Sequence, residues 1–269
     1  MTTELETLKS KLRATWTAGD FGQIAKAYTK SATQFVERLN LQPGTKVLDV
    51  ACGSGNLAIP AARIGADVVG VDIAPQVLQQ ARETAQREGL KAQFEEGDAE
   101  ALEFGDGSFD VVATMFGAMF APRPDVTAKE LMRVCKLGGR IAMANWTPAG
   151  FIGQMFKAAA AHFPPPPGMP SPVLWGVEAT VNDRFGAGVS KLEATARYIT
   201  FSFPFPPADV VEHFRLYYGP TQKAFGALDE NGQAALRRDL EQLWTNNNQA
   251  TDGTTVVEAE YLDVIATRA

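Results

Sequence analysis

The chain has 269 residues, 45% hydrophobic and 21% charged, enough to bury the core of one α/β domain with an elaborated cap and too apolar for a disordered chain. It contains no apolar run of membrane-spanning length and no basic-then-apolar start of a secretion signal, so a cytoplasmic location is expected. A net charge of −6 without a Lys/Arg cluster argues against nucleic acid as a partner, and two cysteines with two histidines argue against a disulfide framework or a zinc centre.

Residues 4–39 carry Leu5, Leu8, Leu12, Trp16, Ile24, Tyr28 and Phe35 at helical spacing, broken near Gly19-Asp20, so two helices precede the first strand. From residue 46 onward, apolar runs of strand length (46–50, 67–71, 92–96, 111–115, 140–146) alternate with helical segments (56–64, 75–88, 125–135). Alternation of this kind implies a parallel sheet with helices on both faces. Leu137-Gly138-Gly139 reads as the stop after the third of these helices. The prolines of 163–170 forbid a helix and make that segment a connector. Beyond it, 177–184 and 207–244 read as helical, and 194–203 and 255–267 as strands that close the sheet as an antiparallel pair. The expected fold is α/β: a doubly wound, mostly parallel seven-stranded sheet with N-terminal helices and a helical cap inserted before the last strand.

The stretch Val47-Leu48-Asp49-Val50-Ala51-Cys52-Gly53-Ser54-Gly55-Asn56-Leu57 is a strand, a glycine turn and a helix start. Gly53 and Gly55 let the backbone turn sharply and approach a ligand that a Cβ would exclude. Gly53, Gly55 and Ala58 also satisfy the dinucleotide pattern G-x-G-x-x-G/A. Asp49 argues against that reading, because a carboxylate four residues before the first glycine would repel a pyrophosphate and attract an ammonium group. Two further acids follow successive strands. Asp72 ends the second, where a carboxylate can accept both hydroxyls of a ribose, and Asp98 follows the third, where it can accept from an adenine amino group while the Ala99 N–H donates to the ring.

Asp49 to Gly55, Asp72, Asp98 and Ser108-Phe109-Asp110-Val111-Val112 together resemble class I S-adenosylmethionine-dependent methyltransferases, in the style of the ubiquinone and menaquinone biosynthesis C-methyltransferases. Glu130 to Gly139 resembles that group's segment before strand five, with Leu137 where proline is usual. The resemblance implies S-adenosylmethionine as cofactor. It places Asp49, Ala51, Cys52, Gly53 and Gly55 at the methionine part, Asp72 at the ribose, and Ile73, Asp98 and Ala99 at the adenine. Thr114 and Met115 would border the donor methyl, and Tyr28 would cover the amino acid end, although its helical spacing equally suits the core. The chain then divides into an N-terminal helical lid (1–40), a cofactor-binding core (41–150), an acceptor-side cap with a sheet strand (151–254) and a final strand (255–269).

Methyl transfer from a sulfonium is an in-line displacement that needs alignment and exclusion of water more than a base. No catalytic residue is assigned, and His162 and His213 read as structural or surface residues. Aromatic residues at strand tips and in the cap (Phe116, Phe120, Trp146, Trp175, Tyr217, Tyr218) suggest a small apolar or aromatic acceptor. An NAD-dependent oxidoreductase and a noncatalytic adenosylmethionine-binding protein are the alternatives, and the oligomeric state is not legible.

Overall fold

The computed structural model describes residues 2–269; Met1, the first residue of the expected lid segment, lies outside the described residues. Three helices come first: α1 (Thr2–Trp16), α2 (Phe21–Ala25) and α3 (Thr29–Arg38). Gly19, at φ +75°, makes the break between α1 and α2, and the Asp20 carboxylate caps α2 by accepting from the Gly22 N–H at 3.1 Å.

Among the described residues, seven strands form one sheet in the order β3-β2-β1-β4-β5-β7-β6. They are β1 (Lys46–Val50), β2 (Asp67–Asp72), β3 (Ala92–Glu96), β4 (Phe109–Met115), β5 (Cys135–Trp146), β6 (Val189–Phe203) and β7 (Thr255–Arg268). β1 to β5 pair in parallel, whereas β7 lies antiparallel to both β5 and β6. Strands β1 and β4 are buried almost throughout because helices cover both of their faces. α4 (Ala58–Arg63), α5 (Pro75–Arg87) and α6 (Pro124–Val134) supply the crossovers. The chain order reverses between β1 and β4, so the loops leaving these two strands diverge and open a crevice at their carboxyl ends.

Three elements depart from the sequence expectations. β5 starts at Cys135, directly after α6, and Leu137-Gly138-Gly139 is a bulge inside it, where the pairing with β4 shifts register and Gly138 takes φ +71°. α7 (Phe151–His162) was not expected; it buries Phe151, Ile152 and Met155 and ends where the prolines begin. The stretch 207–244 is three helices following α8 (Glu178–Phe185): α9 (Pro207–Tyr217), α10 (Gly219–Ala227) and α11 (Glu230–Asn247), separated by Tyr218 and by Leu228-Asp229, of which Asp229 caps α11.

The inserted helices have their own aromatic core. Trp244 of α11 is buried against Phe151 (ring centroids 4.5 Å apart), Phe214 (5.4 Å), Phe203 (5.9 Å) and Phe201 (6.3 Å), tying α7, α9 and the end of β6 together. Truncating it to alanine costs roughly 3–5 kcal/mol. The cap also grips the N-terminal helices. A Cβ on Gly219 would stand 2.0 Å from the Thr15 carbonyl oxygen, so only glycine allows α10 to approach α1 this closely, and the Asp20 N–H donates to the Tyr217 carbonyl at 3.1 Å.

Candidate active site

The loop after β1 is built from left-handed residues. Ala51 (φ +57°), Gly53 (+54°) and Gly55 (+89°) fold the chain back so that α4 starts beside the strand it follows. Ala51 pays for that conformation with its Cβ, and Gly117 lies against it: a Cβ on Gly117 would meet the Ala51 Cβ and carbonyl oxygen at 2.5 Å. The loops after β1 and β4 are therefore in backbone contact.

Two carboxylates hold the geometry. Asp49 is buried and accepts from the Ala58 N–H at the start of α4 (3.0 Å). No cation contacts it among the described residues. Burial pushes its carboxyl up to about 8; the Ala58 hydrogen bond opposes the rise and the charge of Asp72 adds to it. Asp72 accepts from the Gly53 N–H (2.9 Å) with one oxygen and from the Ala74 N–H (2.8 Å) with the other, joining the loops after β1 and β2. Burial raises it too, against these backbone bonds. The Cys52 thiol is driven well up by burial, with Asp49 and Asp72 adding to the rise.

A cleft enclosing about 1030 Å³, including its open mouth, runs along the carboxyl ends of β2, β1 and β4. Asp98, Ala99 and Ile73 line one end, and Asp72 with the 51–53 turn and Asp49 the middle. Tyr28, Met115, Phe116 and Phe120 line the other end. Phe116 holds φ +58° and stacks flat on Trp146, with centroids 3.6 Å apart and planes 6° off parallel, while Tyr28 meets it edge-on at 5.8 Å.

Six of the expected residues do not line the cleft. Gly55 supports the turn from behind, packed against Ile59 and Ala81. Thr114 points its hydroxyl at the Ala118 N–H (3.1 Å) and so shapes the loop after β4. Trp146 backs Phe116. Trp175 is fully buried beneath the Arg184 guanidinium (4.3 Å) and beside Phe185, because the turn carrying it tucks against β5. Tyr217 packs on His213 (4.9 Å), and Tyr218 stands behind Trp16 (5.9 Å) and Phe21 (6.3 Å), which are the residues that face the cleft.

Sequence reasoning missed Lys9, Leu12, Trp16 and Phe21, all supplied by the N-terminal helices. The signal was present: Lys9, Leu12 and Trp16 share one face of α1 at intervals of three and four. Neither histidine lines the cleft. His162 pairs with Asp239 at 2.6 Å across the α7–α11 contact, and His213 lies among Phe203, Phe205 and Tyr217, where burial lowers its pKa.

The residues fit S-adenosylmethionine. A buried carboxylate without a cation awaits an ammonium group, a second stands ready for hydroxyls, and the backbone approach at Ala51 and Gly53 leaves room that larger side chains would fill.

Comparison with known proteins supports this assignment. The profile of a methyltransferase domain matches residues 47–139. An uncharacterized protein of Mycobacterium tuberculosis is 37% identical over 262 residues, covering 96% of this chain and 94% of its own length. The 2-methyl-6-phytyl-1,4-hydroquinone methyltransferase of Synechocystis is 40% identical over 138 residues, 48% of this chain and 43% of that enzyme. Among solved structures, the YcgJ protein from Bacillus subtilis superposes with a TM-score of 0.60 at 16% identity, over 89% of this chain and 98% of its own. The phosphoethanolamine N-methyltransferase 2 of Haemonchus contortus, solved with phosphomonomethylethanolamine and S-adenosylhomocysteine, gives 0.58 at 18% identity, over 93% of this chain and 57% of its own. With its sheet order, its three strand-end acids and these relatives, the chain belongs to the class I S-adenosylmethionine-dependent methyltransferases.

Proposed function

We propose that the enzyme methylates a small apolar or aromatic acceptor bound at the end of the cleft beyond Met115. The observation that carries this reading is the lining there: Trp16, Phe21, Phe116, Ala118 and Phe120, with no acid, lysine, arginine or histidine among them. A site of that composition gains affinity from apolar area, roughly 25 cal/mol per Å² buried, and offers a charged acceptor nothing to pair with.

Asp49 would hold the ammonium of the donor, Asp72 the ribose, and Asp98 with Ala99 the adenine; Tyr28 would close over the amino acid end. The bound donor supplies an activated methyl group on a positively charged sulfur. The protein's own part is alignment and desolvation. Phe116, fixed by its stack on Trp146, and the aromatic rings of Trp16 and Phe21 exclude water from the displacement path. Among the described residues none of the side chains lining this end is an acid, a lysine or a histidine that could remove a proton, and burial raises the Tyr28 phenol. The acceptor must therefore bring a nucleophile that is reactive as bound, such as an electron-rich aromatic carbon or an amine in its neutral form.

The test is transfer of a labelled methyl group to a panel of hydroquinones, phenols and neutral aromatic amines, set against carboxylic acids and phosphate esters. Turnover confined to the charged compounds would overturn the reading. Donor binding without transfer to any of them would favour a noncatalytic binding protein, and calorimetry with NAD beside S-adenosylhomocysteine separates the dinucleotide alternative.

A further inference from the structure

Helix α1 sends one charged side chain into the adenine end of the cleft. The Lys9 ammonium reaches Asp98 Oδ2 and, at 2.7 Å, Glu100 Oε2, with only 19% of the lysine side chain exposed. Glu100 is anchored far more firmly than a surface acid. Its side chain is fully buried, one oxygen accepts from the Arg123 N–H, and the other meets both Lys9 and the Arg123 Nε at 2.7 Å. Arg123 directly follows the loop whose Phe120 and Pro122 also line the cleft. Asp98 is constrained from its own side too, because its Oδ1 accepts from the Glu100 N–H at 2.9 Å.

We propose that Lys9 is a positioning residue for the donor: by bridging Asp98 to the buried Glu100, it fixes the Asp98 carboxylate so that the lone pairs left over face the adenine amino group. The proposal rests on Asp98 being the adenine acceptor. Glu96, Asp98 and Glu100 place three acids within five residues, and without a cation between them the last two would repel one another. Arg13 makes the informative contrast. It pairs with Glu96 at 2.6 Å one helical turn further along α1, but both partners are about half exposed and neither touches Asp98, so this pair docks the helix and orients nothing in the cleft.

The experiment measures binding of S-adenosylhomocysteine and of S-inosylhomocysteine, in which a ring carbonyl replaces the adenine amino group, to the wild type and to Lys9→Met, Lys9→Arg, Arg13→Gln and Asp98→Ala. Calorimetry gives affinities and thermal melts report stability. The wild type should prefer the adenosyl ligand; Asp98→Ala, which removes both acceptor oxygens, should abolish that preference, and its failure to do so would strike at the assignment of Asp98 alone. Lys9→Met should weaken the adenosyl ligand about tenfold and the inosyl ligand little. Lys9→Arg should recover most of the loss, and Arg13→Gln should leave the preference intact. A Lys9→Met protein that keeps the wild-type preference refutes the positioning role, whatever its melting temperature. One that binds the adenosyl ligand more tightly shows that Lys9 competes with adenine, and refutes it as well. Should Lys9→Met fail to fold, Lys9→Gln is read by the same two criteria.

Discussion

Replacing Asp49 by asparagine isolates the most heavily perturbed acid of the cleft. In the folded enzyme its carboxyl is pushed up to about 8, whereas unfolding returns it to the usual 3.8. The folded state therefore binds more protons than the unfolded one between those limits, and stability falls as pH rises through that window. At pH 7 the cost is roughly 4 kcal/mol, about 1.4 kcal/mol for each pH unit above the unfolded value. Asparagine retains an oxygen to accept from the Ala58 N–H and never ionises. Urea unfolding at about pH 5.5, 7 and 8.5 should show Asp49→Asn gaining on the wild type by about 1.4 kcal/mol per pH unit until the gap levels off near pH 8. Asp72 and His213 titrate in both proteins and largely cancel. Bound S-adenosylhomocysteine should restore the ionised form, so the wild type should release close to one proton per ligand at pH 7, measured by calorimetry in buffers of different ionisation enthalpy. The variant should release none from this site and bind at least about tenfold more weakly. A stability gap independent of pH, or undiminished donor affinity in the variant, refutes the account of Asp49 as a carboxylate held for a cation.

Three shorter predictions concern the backbone and the roof. Ala51→Gly should raise stability by about 0.5–1 kcal/mol, as relief of a left-handed alanine outweighs the added chain entropy, and should leave donor affinity unchanged; thermal melts and calorimetry check both. Gly117→Ala should lower stability by roughly 1–3 kcal/mol and abolish donor binding, because its new methyl would collide with Ala51 main-chain atoms that cannot move aside. Trp16→Ala should raise acceptor KM several-fold while donor affinity changes little, whereas Tyr217→Ala should alter only the melting temperature; a KM effect confined to Tyr217→Ala would reverse the assignment of roof and support.

The sheet was legible because its strands are short apolar runs punctuated by glycine and acid residues, and the position of an acid after a strand follows from chain order alone. The inserted helices were less so. Trp175, Tyr217 and Tyr218 carry the same composition whether they face a ligand or a neighbouring helix, and only packing distinguishes Tyr218, behind the wall, from Trp16, which forms it. The bulge at Gly138 mimicked a helix stop because glycine serves both purposes. Asp72 read as a ligand residue only, yet its bonds to Gly53 and Ala74 show that it also shapes the turn it serves. Lys9 escaped notice because its partners lie about 90 residues away, beyond any local pattern.

The grip of α10 on α1 sets a timetable for biosynthesis. Thr15 leaves the ribosome before the glycine against which it packs, which follows roughly 200 residues later, on the order of 10–40 s at ordinary elongation rates. Through that interval Leu12 and Trp16 have no roof to join, and the strands that carry the three acids can pair before the helix that covers them docks. Helix α1 is thus made before the sheet and finds its place after it. The nascent chain passes through a stage in which the donor site is formed and uncovered, and the exposed Trp16 face of α1 is then a natural target for a chaperone that binds apolar helices.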